Sequence, residues 1–175
     1  MPSDEELAKV VKDYLQKRSQ ATDQEFLLAT ERSDLKIISG LKFEAHRRQF
    51  AFYVDEPPER GGTDAGPSPL AYFVAGAASC LLNQYSMLAI GRDIHIRGTL
   101  SAKANFDRRL GGSFESVEYD IKLESTASAE EIASISKEAL GMCYANNTLR
   151  RAGVSITANV FLNGKPVSKN AGKGR

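Results

Sequence analysis

Residues 61–80 read GGTDAGPSPLAYFVAGAASC, and the way this stretch folds organises everything around it. A glycine- and proline-rich turn runs straight into Ser68-Pro69, which opens a helix. Serine suits the N-cap, and proline at the first helical position loses only a hydrogen bond that is orphaned anyway. From Leu70 to Ile90 the body is apolar nearly all round, with Ala75, Gly76, Ala77, Ala78 and Ser79 in one run. Such a helix is expected to be buried on most sides and closely approached by other backbones. Gly91 is a natural stop. Into the middle of this segment the chain places Cys80, one of only two cysteines.

Upstream, residues 4–18 set Leu7, Val10, Val11, Tyr14 and Leu15 on one helical stripe, with charges over the rest of the surface. This is an amphipathic helix that lies on its own domain or on a partner subunit. The period changes over residues 24–55, where Phe26-Leu27-Leu28, Leu35 to Ile38, Leu41 to Ala45 and Phe50 to Val54 read as strands. Pro57 and Pro58 end the last of them, since neither can continue a ladder.

Downstream, residues 93–106 and 114–125 alternate apolar and polar on either side of Arg108-Arg109-Leu110-Gly111-Gly112, as a hairpin does. Ser128 and Glu131 form a capping box for a helix expected to run to about Arg151, with Gly153 as terminator. Val154 to Leu162 reads as the final strand, before the basic stretch SKNAGKGR. The order helix, strands, helix, two strands, helix, strand predicts an α+β domain with mostly antiparallel pairing rather than a βαβ alternation. The expected organisation is an N-terminal amphipathic helix over 1–20, a single domain over 21–167, and a disordered basic tail over 168–175.

Composition narrows the function. With 175 residues there is enough chain for one full core. Lys plus Arg number 23 against 22 for Asp plus Glu, so nothing marks a nucleic-acid footprint. The N-terminus is charged throughout and lacks the apolar core of a signal peptide, and the apolar run around 70–82 is shorter than a bilayer requires. A cytoplasmic protein without a membrane partner is expected. In that setting two cysteines do not make a disulfide scaffold; they are buried fillers, metal ligands or redox thiols.

Cys143 follows Ile132, Ile135 and Ala139 at three- and four-residue steps, so its thiol falls on a buried stripe, and Cys80 lies in the other core helix. On this pattern alone packing is the leading explanation, because free cysteine is among the most buried residue types. Metal binding fares worse: His46 and His95 are far apart, and no C-x-x-C or H-x-x-H spacing occurs. No local signature supports a Cys–His hydrolase pair. Gly61-Gly62 lacks the lysine of a phosphate-binding loop and is a turn.

Three features then come together. YVDEPPERGGTDAGPSPLAYFVAGAASCLL, the later CYANNTLR, and the strand–strand–helix order between them closely resemble the OsmC/Ohr family, the osmotically inducible and organic-hydroperoxide-resistance proteins. The resemblance covers roughly residues 35–165 and rests on a Gly-Gly turn, a proline-opened helix with a cysteine about eleven residues on, and a second cysteine in a C-x-x-x-N-T stretch. It implies an OsmC-like fold of two central helices packed with sheets, assembled as an intertwined homodimer with active sites at the subunit interface.

The activity it implies is that of a thiol-dependent peroxidase of organic hydroperoxides in oxidative stress defence, working without a cofactor or metal. Cys80 would attack the O–O bond, Cys143 would resolve the sulfenic acid as a disulfide, and an external dithiol, lipoyl-type in some members, would re-reduce it. A thiolate nucleophile needs a cation beside it, and apolar walls favour alkyl or lipid hydroperoxides over hydrogen peroxide. The family's arginine lies before the Gly-Gly turn, where Arg47 and Arg48 stand, with Arg60 close by. Two positions depart from the peroxidase pattern: Leu70 stands where a glutamate usually follows the opening proline, and Tyr144 where a proline is frequent. The alternative is an OsmC-like small-molecule-binding or redox-sensing protein without peroxidase turnover.

Overall fold

The structure, a computed structural model, describes residues 3–22 and 24–172. The chain forms two compact units: residues 20–73, and the residues before 20 together with those from 74 onward. It opens with α1 (Asp4–Gln20), acidic in its first turn and basic in its last, which suits the helix dipole at both ends.

In the 20–73 unit, α2 (Gln24–Leu27) precedes β1 (Asp34–Ser39), β2 (Lys42–Arg47) and β3 (Phe50–Val54). Phe26-Leu27-Leu28, expected as a strand, is thus a single helical turn closed by Leu28 N–H on the Gln24 carbonyl. A short apolar run carries no period of its own, and among the described residues no strand pairs with this segment. The three strands form an antiparallel meander with β2 in the centre. Its register aligns Leu35 with Ala45 and Phe52, and Ile37 with Phe43 and Val54, on one face. Arg47 is opposite Phe50 at the end of that face.

After β3 the chain enters the Gly61-Gly62 turn. Asp55 is its centre: 1% exposed, its carboxylate accepts from the Thr63 hydroxyl at 2.6 Å and from the backbone N–H groups of Glu56, Thr63 and Ala65 at 2.8–3.1 Å. Those bonds, the Thr63 hydroxyl above all, hold the carboxyl down at about 2. The turn has room for no side chain at Gly62, where a Cβ would lie 1.7 Å from the Glu56 carbonyl oxygen. It delivers the chain into α3 (Pro69–Gly91), where Ser68 Oγ accepts from Ala71 N–H at 3.3 Å. Tyr72 then donates to the Tyr53 carbonyl at 2.8 Å and packs on Phe52, anchoring the first helical turn to β3.

The second unit contains α1, α3 from Val74 onward, and a sheet of β4 (Arg97–Phe106), β5 (Phe114–Glu124), β6 (Ser155–Leu162) and β7 (Lys165–Gly172) in that order. α4 (Ala129–Met142) and α5 (Tyr144–Arg151) join β5 to β6. The core gathers Ala77, Leu81, Tyr85 and Leu88 of α3, Ile132, Ile135 and Ala139 of α4, and the inward residues of β5 and β6. Each fully buried side chain of leucine or isoleucine size contributes about 1.5–3 kcal/mol relative to exposure.

The sheets are mostly antiparallel, as expected, with one exception. β5 and β6 are parallel, so the α4–α5 segment is a crossover connection and one βαβ unit sits in a sheet otherwise antiparallel. The expected disordered tail over 168–175 is instead strand β7 as far as Gly172, paired to β6; residues 173–175 lie outside the described residues. Its cause is Asn163-Gly164, a two-residue loop with both residues at positive φ, the strongest short hairpin signal. Lysines on β7 are what a sheet edge carries, not a mark of disorder. α3 is 23 residues long and apolar enough to cross a membrane by length and composition, longer than the run of 70–82 considered above. Its buried face begins only at Ala77 and belongs to the core just described; Leu70 and Phe73 are 37% and 48% exposed, so within one chain it is not buried on most sides.

A further correction concerns the helix expected to run from Ser128 to about Arg151. The capping box that starts it is present, with Ser128 and Glu131 bonded reciprocally. The helix is broken at Cys143, which is extended (φ −72°, ψ 112°) and is at once the C-cap of α4 and the N-cap of α5.

Candidate functional site

At the break Cys143 has extended dihedrals, although its N–H still donates to the Ala139 carbonyl and its own carbonyl accepts from Asn147 N–H, both at 3.0 Å, and its side chain is buried in the core. Carbonyls that lose their helical partners must find donors elsewhere. Here the Asn147 amide donates to the Gly141 carbonyl at 2.8 Å, and Arg18 of α1 donates to that of Met142 at 3.4 Å. Cys80 lies on α3 in the turn before Leu81, Gln84 and Tyr85, and is half-buried.

The two sulfurs meet. Cys143 Sγ donates to Cys80 Sγ at 3.5 Å, and both cysteines are free. Closing to a disulfide needs a shift of about 1.5 Å, to an S–S length of about 2.05 Å. Burial pushes the Cys143 thiol up to about 11, with the neighbouring Cys80 adding to the rise, while the backbone N–H groups of Asn146 and Ala145 act the other way. Cys143 therefore remains a thiol at neutral pH and presents its hydrogen to Cys80.

Beneath the pair sits Tyr119 of β5, fully buried, its hydroxyl donating to Asn146 Oδ1 at 2.8 Å. Burial raises its pKa, and negative charge on Cys143 or Cys80 would raise it further, whereas the Arg150 guanidinium lowers it. Asn146 and Arg150 follow Cys143 at three and seven positions, on one face of α5. Tyr119, Asn146, Arg150 and Arg18 were not singled out from sequence. The first three carry a signal in hindsight, an inward position on an alternating strand and helical spacing from Cys143; Arg18 carries none.

The expected cations lie in the 20–73 unit. Arg47, at the end of β2, pairs with Glu31 at 2.9 Å. Arg48 occupies the β2–β3 turn at φ 55°, and Arg60 pairs with Glu56 at 3.1 Å. Leu70 is in the first turn of α3 and Tyr144 opens α5, 62% exposed. His46 bonds Glu44 at 2.8 Å, and His95 precedes β4 rather than lying within a strand. His95 borders a groove of about 670 Å³ between α1 and the C-terminal end of α3, lined also by Leu7, Lys12, Ile90 and Ile94; neither cysteine reaches it.

An α+β chain with a long apolar helix on a mixed sheet, and a thiol from each of two helical elements face to face in its core, defines the class. Residues 62–159 match the OsmC-like protein family, more than half of the chain, and the chain belongs to that family. A stretch of 101 residues, 56% of this chain, is 28% identical to an uncharacterized protein of Haloferax volcanii and covers 76% of it. Among solved structures, the OsmC like protein from Mycoplasma pneumoniae superposes with a TM-score of 0.66 at 21% identity, over 77% of this chain and 99% of that one. An organic hydroperoxide resistance protein from Elizabethkingia anophelis, solved with thiocyanate bound, gives 0.62 at 21% identity, over 78% and 98%.

Proposed function

We propose that this chain is a thiol-dependent peroxidase that reduces organic hydroperoxides in oxidative stress defence, with Cys80 as the attacking thiol and Cys143 as the resolving one. The observation that carries the proposal is the 3.5 Å contact between the two sulfurs. Cys80 is the better placed nucleophile because it is the more exposed of the two cysteines, and the thiolate is the reactive form.

In the first step the Cys80 thiolate attacks the distal oxygen of ROOH. An S–O bond forms, the O–O bond breaks, and the alkoxide leaves with a proton as ROH, so the peroxide is reduced and Cys80 is oxidised to sulfenic acid. In the second the Cys143 sulfur attacks Cys80, the S–S bond forms, and hydroxide leaves with the Cys143 proton as water. An external dithiol then exchanges with the disulfide, restoring both thiols and leaving as the oxidised dithiol. Similarity to an organic hydroperoxide resistance protein supports this choice of substrate class.

The working unit in this proposal is a homodimer. On the face of the β1–β3 sheet where Ala45 and Val54 are buried, Leu35 and Ile37 on β1 and Phe50 and Phe52 on β3 are exposed, as is the first part of α3. Apolar surface on this scale marks an interaction site, and a partner covering it would also meet Arg47, which shares that face. The test is thiol titration after one equivalent of cumene hydroperoxide. Loss of both thiols within the dead time of mixing supports the peroxidase; thiols left intact would return the chain to a binding or sensing role.

A further inference from the structure

The cysteine pair leans on a residue that lies outside the segment shared with the family. Arg18 belongs to α1, well before residue 62 where the family match begins. Its Nη2 donates to the Met142 carbonyl and its Nη1 to Gln84 Oε1, both at 3.4 Å, and its guanidinium sits 4.9 Å over the Tyr144 ring. Met142 and Tyr144 are the two chain neighbours of Cys143. Gln84, 4% exposed, is one helical turn after Cys80 on the same face of α3. One guanidinium therefore ties the turn beside Cys80 to both sides of the break that presents Cys143.

α1 itself packs on that unit through a few side chains. Val11 is buried, and Lys12 pairs with Asp93 at 2.8 Å. Leu15 lies over Gly91 at the end of α3, its Cδ1 2.9 Å from where a Cβ would be. A planar fork suits the task at Arg18: two parallel donors reach acceptors on two different helices while the flat face stacks on an aromatic ring.

We propose that Arg18 is a positioning residue for the thiol pair, holding the α4–α5 break against α3 so that Cys143 stays within reach of Cys80. Its catalytic meaning rests on the peroxidase reading above, where the step it serves is resolution: the Cys143 sulfur attacks the Cys80 sulfenic acid, the S–S bond forms, and water leaves. The attack of Cys80 on peroxide does not depend on it.

The test separates the two ideas by using two oxidants on the full-length protein. Diamide oxidises a thiol pair without peroxide chemistry, its N=N bond taking up two electrons and two protons as the disulfide forms. Arg18→Met is expected to slow diamide-driven formation of the Cys80–Cys143 disulfide about tenfold, because a small misplacement of reacting atoms is costly. Arg18→Lys, with one ammonium to serve two acceptors, is expected about threefold slower than the parent. With cumene hydroperoxide, Arg18→Met should consume its first equivalent at the parent rate, while a sulfenic acid trappable by dimedone accumulates. Parent-like diamide rates in Arg18→Met overturn the proposal; if that variant does not fold by circular dichroism, a parent-like rate in Arg18→Lys overturns it. A parent protein that forms the disulfide with diamide, shows the Arg18 dependence, and ignores hydroperoxide would leave the positioning role standing and remove the peroxidase reading instead.

Discussion

The sulfurs of Cys80 and Cys143 lie 3.5 Å apart although the residues are 63 positions apart in the chain. Cysteines that merely filled the core would have no reason to point at one another from two helical elements. Hydroperoxide treatment is therefore expected to give an intramolecular Cys80–Cys143 disulfide, reversible by a dithiol and identified by peptide mapping. Cys143→Ser should still consume a first equivalent and stop at a trappable sulfenic acid, whereas Cys80→Ser should consume none. Unchanged turnover in Cys80→Ser would sink the peroxidase mechanism.

The same pair predicts an alkaline limit to stability. Cys143 is pushed up to about 11 in the folded protein from an ordinary value of 9.0. A raised folded pKa contributes stability that is complete below the unfolded value and is lost as the pH climbs through the folded one. Melting temperature should thus fall between about pH 9 and pH 11, and the fall should be smaller in Cys143→Ser. Parallel profiles for the two proteins would show that another group sets the limit.

The cation beside the Cys80 thiolate can be assigned by replacement. Arg47, Arg48 and Arg60 are each to be changed to Met, and one variant, Arg47→Met or Arg48→Met ahead of Arg60→Met, should lose peroxide reduction by tenfold or more with little change in melting temperature. Both paired arginines are in exposed ion pairs, which contribute only about 0–1 kcal/mol, so loss of fold would not be the cause. Full rate in all three variants means the charge comes from another residue.

What could be read from sequence was what local chemistry dictates. Ser68-Pro69, Gly91, the Ser128–Glu131 box and the alternation of β4 and β5 all fold as their residues demand, because each signal is contained within a few positions. The thiol pairing was reached only through family resemblance, since helical spacing says that each cysteine is buried and nothing about where the two stripes meet. The break at Cys143 was not legible: its released carbonyls are taken by Asn147, in the same stretch, and by Arg18, more than a hundred positions away. A helical period cannot register a donor that arrives from another element. β7 differs: its lysines give the stretch the composition of a tail, while the signal that makes it a strand, the Asn163-Gly164 turn, lies just before it.

Asp55 supplies an acid-limb prediction. Its carboxyl is held at about 2 against an ordinary value of 3.8, chiefly by the Thr63 hydroxyl. A depressed folded pKa contributes stability above the unfolded value and loses it as the pH falls through the folded one. The window is therefore about pH 4 down to pH 2. Asp55→Asn should lower the melting temperature at pH 7 and flatten its decline over that window, and Thr63→Val should do the same more weakly. A pH 7 melting temperature equal to the parent's would mean that the turn leading into α3 does not depend on the carboxylate.

The last prediction concerns assembly, and it follows from surface that one chain leaves uncovered. Leu35 and Ile37 are 62% and 69% exposed on β1, Phe50 is 59% exposed on β3, and Leu70 and Phe73 are 37% and 48% exposed at the start of α3. Single exposed apolar side chains are ordinary; several on one three-stranded sheet, with more at the start of the most apolar helix, are not. A stable interface buries on the order of 1,200–2,000 Å² in total, and a second copy of the chain is the partner proposed for it. Light scattering at micromolar concentration is expected to give twice the chain mass. Ile37→Lys, which places a charge among the exposed apolar residues of β1 without altering either cysteine, should shift the protein towards monomer by tenfold or more in dissociation constant. If the active site is completed across that interface, the same variant should lose peroxidase activity on dilution and recover it at high concentration. A parent protein that is monomeric at micromolar concentration, or an Ile37→Lys variant that stays dimeric, would place the interface elsewhere or remove it.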